Sequence, residues 1–163
     1  MGYTHYWNQS RAFTDEEWTK VVDIFETCLN AAQDKNIVIT LSDETKKPSA
    51  HEILQELREL RSGEKTRIYF NGLEGSDDLA HETMVLTKDA GGFGFCKTAY
   101  KPYDVIVTAF LCAVESLVGC PINTSSDGDA EDWQPGLQLA KFLFGPKVTL
   151  PPRFYETDPD EDY

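Results

Sequence analysis

The chain has 163 residues, long enough for one domain with a sizeable core. Apolar residues make up 40% and aromatics 12%, the profile of an ordinary globular protein. Fifteen basic against 28 acidic side chains leave a net charge of −13, which repels phosphate backbones and disfavours generic nucleic-acid binding.

In chain order, residues 2–8 are aromatic and β-prone and suit a first strand, with Tyr3, His5 and Trp7 on one face and Thr4 and Tyr6 on the other. Thr14 and Glu17 form a capping box that opens an amphipathic helix over 15–33. Residues 36–42 alternate Ile37, Ile39 and Leu41 against Val38 and Thr40, which reads as a central strand. A second capping box, Ser49 and Glu52, leads a helix with Ile53, Leu54, Leu57 and Leu60 inward, ended by Gly63. Strands follow at 66–71 and 81–88, the second turning at Gly91-Gly92 into a hairpin partner at 93–98.

The longest apolar run, 105–118, is a buried helix with Pro102 before it and Gly119 as its stop. It is too short and interrupted to span a bilayer, so no membrane association is expected. Residues 120–124 suit a short edge strand. A last helix runs to Phe144, burying Leu137, Ala140, Phe142 and Leu143. The expected architecture is a two-layer α+β sandwich, with a mostly antiparallel sheet of about five strands and about four helices. One domain covers 1–150, and 151–163 form an acidic, irregular tail. The opening has no basic region followed by an apolar one, so a cytoplasmic protein is expected.

The chemistry-bearing residues gather near strand ends: Thr4, His5, Tyr6, Asn71, His81, Glu82, Lys97, Tyr103 and Asp104, with Thr83 and Thr98 beside them. Imidazole, carboxylate, ammonium and phenol groups in one pocket would bind a small polar ligand, nucleotides among the candidates. Lys97 would meet negative charge, and the rings of Tyr6 and Tyr103 would stack on a base. The same groups suit acid–base chemistry, and the residue pattern alone does not choose between binding and catalysis. His81-Glu82-Thr83 has the form H-x-T, but the second such motif that a two-histidine phosphoesterase requires is missing.

Asp127, Asp129 and Asp132 miss the EF-hand spacing, and Cys28, Cys96, Cys112 and Cys120 contain no C-x-x-C pair. Neither a metal nor a cofactor is expected. Cys96 beside Lys97 is a weak candidate for an activated thiol, and buried free thiols are the plainer reading. The alternative function is an acidic interaction protein that inhibits a basic host factor by charge complementarity, using the clusters at 74–78 and 155–163.

Four stretches carry a resemblance: Met1-Gly2-Tyr3-Thr4-His5-Tyr6-Trp7; Phe70-Asn71-Gly72 with His81-Glu82-Thr83; Phe95-Cys96-Lys97-Thr98 with Lys101-Pro102-Tyr103-Asp104; and Ser125-Ser126-Asp127-Gly128 with Asp132-Trp133. Together they resemble a group of small, uncharacterised proteins of bacteria and their phages. The resemblance implies a phage- or prophage-type accessory protein acting in the host cytoplasm, and it implies no particular reaction. Tyr100 stands where the group's pattern K-T-A-R-K-P-Y-D has arginine, so an anion contact made there would be altered in this chain.

Overall fold

A computed structural model describes residues 3–89, 91–118 and 121–156. Gly119, Cys120 and most of the acidic tail, 157–163, lie outside the described residues. The fold is α+β, and all strand pairing is antiparallel. Strands β1 (Thr4–Gln9), β4 (Gly92–Lys97) and β5 (Ile122–Ser126) form one sheet in the order β4-β1-β5. Strands β2 (Arg67–Phe70) and β3 (Met84–Thr87) form a second. The helices are α1 (Asp15–Asp34), α2 (Ala50–Ser62), α3 (Asp104–Leu117) and α4 (Gln134–Phe144), followed by a 3-10 turn, Pro152–Tyr155. None of the described helices is long and apolar enough to cross a membrane.

Local chemistry sets the helix ends. At α1, Thr14 Oγ1 accepts from Glu17 N (3.1 Å), and Glu17 Oε1 accepts from Thr14 N (2.9 Å). Ser49 and Glu52 repeat this exchange at α2, and Gly63 closes that helix in the left-handed conformation, φ 88°. Helix α3 is the centre of the core, with every residue from Ile106 to Val114 buried. It packs on α1 and α4, and Phe110 meets Phe25 and Phe70 at ring separations of 6.1 and 5.9 Å.

Several expectations change. Residues 36–42 form no strand: Thr40 alone bridges Asn71, with both backbone bonds made (2.9 and 3.2 Å). Asn36 turns the chain at φ 58°, and the extended segment runs beside α1 and the start of α2. An apolar extended segment against helices has the same alternation as a strand, which hydropathy cannot separate.

The expected hairpin between 81–88 and 93–98 is absent. β3 pairs with β2, while β4 crosses to β1 in the register Thr4↔Lys97 to Gln9↔Gly92. The ladder of β3 starts at Met84, because the Asn71 side chain captures the backbone ahead of it. Asn71 Nδ2 donates to His81 O (2.9 Å), and Asn71 Oδ1 accepts from His81 N (3.2 Å). Leu54 and Phe142 face solvent, 60% and 86% exposed, rather than the core. Phe142 lies two residues, about 200° around the helix, from buried Ala140.

Candidate functional site

His5 sits mid-face on β1, on the side that also carries Tyr3 and Trp7, and has no exposed surface. A buried imidazole needs partners for both nitrogens. The antiparallel register places Ser126 of β5 directly opposite, and His5 Nδ1 lies 2.8 Å from Ser126 Oγ. Nε2 lies 2.6 Å from Oδ1 of Asp104, the first residue of α3. That oxygen also accepts from Thr98 Oγ1 at 2.6 Å. An ionised Asp104 only accepts, so Nε2 carries the ring proton and Nδ1 is free to accept the Ser126 hydroxyl proton. Ser126 Oγ in turn accepts from Gly128 N (2.9 Å). Its contact with Thr4 O is longer, 3.4 Å, so the hydroxyl proton goes to the imidazole. Tyr3 and Trp133 meet the ring edge-on, at centroid distances of 4.8 and 4.9 Å.

Thr4 and Tyr6 project on the opposite side of β1. Asp127 joins them: Oδ2 accepts from Thr4 N (3.2 Å) and Oδ1 from the Tyr6 hydroxyl (3.0 Å). The bond to Asp127 is the first cause holding the Tyr6 phenol above its ordinary pKa. Tyr6, Ser125, Ser126, Gly128, Arg153 and Phe154 line an open cleft of about 380 Å³. Arg153 comes from the 3-10 turn, which packs on β5. Among the described residues its guanidinium makes no ion pair. Ser126 thus lines the cleft as a residue while its hydroxyl is bonded to the buried histidine.

The other expected contacts lie elsewhere. His81 is exposed, while His5 is sealed in the core, so the two imidazoles share no surface. Lys97, opposite Thr4 in the ladder, lies on the sheet face that His5 turns away from. Glu82 N donates to Lys97 O (3.1 Å), and Lys97 N donates to Glu82 Oε2 (2.7 Å). The Tyr103 ring is buried and its hydroxyl donates to Glu82 O at 2.5 Å, so it is not available to stack on a ligand. Asn71 spends its amide on His81, Thr83 and Gly72, which fixes a loop. One shared hollow therefore does not form. His5 and Asp104 come together, Thr4 and Tyr6 come together, and Asn71, His81, Glu82, Lys97 and Tyr103 tie β3 and β4 to their surroundings.

Cys28, Cys96 and Cys112 are free and buried, and burial pushes each thiol up to about 12, so Cys96 is not an activated nucleophile. Asp129 and Asp132 satisfy each other's backbone amides at 3.0 Å, in a turn just before α4. Sequence reasoning missed Ser126 and Arg153 as members of the site. Their roles arise from register and from the return of the C-terminal segment, neither of which has a local signature. Comparison of the chain with protein-family models, curated proteins and solved structures gives no match.

Proposed function

We propose that this chain is an accessory protein, of the phage or prophage type its opening resembles, that binds a small anionic ligand in the cleft between Tyr6 and Arg153. One observation carries the reading: in a chain of net charge −13, a cation without an ion-pair partner among the described residues stands on a concave wall that Tyr6, Ser125 and Phe154 also line. A negative group would bond the guanidinium and the Ser125 hydroxyl, since Ser126 and Tyr6 donate to His5 and Asp127. A flat ring would lie against Tyr6, or against Phe154, which is itself braced on Trp133 at 5.1 Å. A nucleoside monophosphate has both features, and the cleft has the volume of a small-molecule site.

Thermal-shift titration with nucleoside monophosphates and inorganic phosphate tests this. The expected result is a Tm that climbs with ligand concentration, by mass action on the folded state. The climb is lost in Arg153→Gln and kept in Lys97→Gln. No stabilisation by any of these ligands, or a climb indifferent to Arg153→Gln, would refute it.

A further inference from the structure

Ser126, His5 and Asp104 form a chain of hydrogen bonds running from a residue that lines the cleft into the core. We propose that Ser126 is a nucleophile and that the cleft hydrolyses small esters bearing a negative charge. The inference rests on the anion-binding reading for substrate choice and on separate observations for the chemistry. A serine hydroxyl reacts at neutral pH only when a base takes its proton. His5 Nδ1 is at 2.8 Å for that purpose, and Asp104 at 2.6 Å fixes the ring so that this nitrogen is the unprotonated one. Thr98 fixes the carboxylate by donating to the same Asp104 oxygen. These roles are recognised by geometry, since the triad arrangement has no fixed order along a chain.

The reaction balances as two acyl transfers. Ser126 Oγ attacks the ester carbonyl carbon while its proton passes to His5 Nδ1. The charge that develops on the tetrahedral oxyanion is met by the Arg153 guanidinium on the cleft wall. Collapse breaks the bond to the alcohol, which takes the proton from Nδ1 and leaves. Water then attacks the acyl-serine, gives a proton to Nδ1, and releases the carboxylic acid as the proton returns to Ser126. Asp104 and Thr98 are positioning residues, acting through the ring.

The full chain is treated with a fluorophosphonate, which a serine nucleophile attacks with loss of fluoride, and the adduct is mapped by mass spectrometry. Hydrolysis of p-nitrophenyl acetate is compared with that of p-nitrophenyl succinate. We expect one adduct, on Ser126, absent from heat-unfolded chain and from Ser126→Ala. Asp104→Asn should slow both labelling and turnover by at least about a hundredfold and alter the pH profile, which a merely structural carboxylate would not do. The succinate should be the faster substrate, and Arg153→Gln should erase its advantage. No adduct on Ser126, or equal labelling in native and unfolded chain, overturns the nucleophile. If phosphate-bearing ligands still stabilise the chain in that case, the cleft's binding role survives alone. An adduct on Ser126 with no ligand stabilisation would instead remove the anion-binding reading and keep the chemistry.

Discussion

Gly136 is the third residue of α4 and needs no unusual backbone conformation there, so its lack of a side chain is a matter of space. A Cβ added at this position would lie 1.9 Å from Thr108 Oγ1, 2.7 Å from Thr108 Cβ and 3.0 Å from Ala109 N on α3. Thr108 cannot simply swing aside, because its hydroxyl is bonded to Asp104 O (3.0 Å) and its branched Cβ moves with the helix. The substitution Gly136→Ala therefore sets two effects against each other. Alanine favours helix over glycine by up to about 1 kcal/mol. Overpacking a tight contact costs about 1–3 kcal/mol, and backbone atoms among the obstacles put this case at the upper end.

Destabilisation should win by about 2–3 kcal/mol, lowering Tm by about 4 to 12 °C in a chain of this size. Calorimetry or urea melts followed by circular dichroism measure it. Thr108→Ala removes the nearest obstructing atom, so the double variant should lose less than the sum of the two single losses. A Tm that rises or stays level in Gly136→Ala would refute the close approach of α3 and α4. A functional consequence accompanies the structural one. Thr108 lies one turn from Asp104 and bonds its carbonyl, so a shift of α3 disturbs the Asp104–His5 contact, and Ser126 labelling should fall as well.

Two pH-dependent effects follow. Arg11, with help from the Thr14 amide, holds Glu17 down at about 2, so its contribution to stability is complete above the unfolded carboxyl range near 4.5 and is lost as pH falls towards 2. The Tm gap between wild type and Glu17→Gln should close across that window, and a gap still open at about pH 2 would contradict the pairing. Glu115 is the opposite case: burial raises its pKa, only partly countered by the Thr124 amide at 3.2 Å. A raised carboxyl costs stability as pH climbs from the unfolded value through the folded one. Glu115→Gln should therefore melt above wild type at neutral pH, with the difference vanishing in acid, and a constant difference would refute the cause.

Features set by neighbouring residues were legible in the sequence. Both capping boxes close within three residues, and both are present at the expected helix starts. The centres of the apolar stripes were legible too, but not their edges: Leu54 sits beside Ile53 on the boundary of α2 and points outward. Pairing between distant strands was illegible. β3 and β4 are adjacent in sequence and separated by glycines, the usual sign of a hairpin, yet β1 offers β4 a longer ladder. The site divides the same way. His5 and Asp104 are chemically conspicuous and were named individually, but the bond between them spans 99 positions. Ser126 carries no local signal, because only the β1–β5 register shows what stands opposite it.

The surroundings of His5 carry costs that the fold itself does not require. Tyr3 Oη and Trp133 Nε1, on the two rings that flank the imidazole, are buried without a hydrogen-bond partner among the described residues. Each such group costs about 1–3 kcal/mol. Ala99 and Tyr100 both take the left-handed backbone, φ 51° and 61°, a strained choice for residues with side chains. That strain lays the Tyr100 ring flat on Tyr3, at 3.8 Å. Gly128 completes the enclosure, since any Cβ there would come within 2.6 Å of the Tyr3 ring and force the Gly128 amide away from Ser126. Unpaired polar atoms, strained backbone and an obligatory glycine converge on one imidazole. Trp18 Nε1 and Thr124 Oγ1 are also buried without a partner among the described residues, so it is the clustering of such costs around His5, not their presence, that a site selected for reactivity would show.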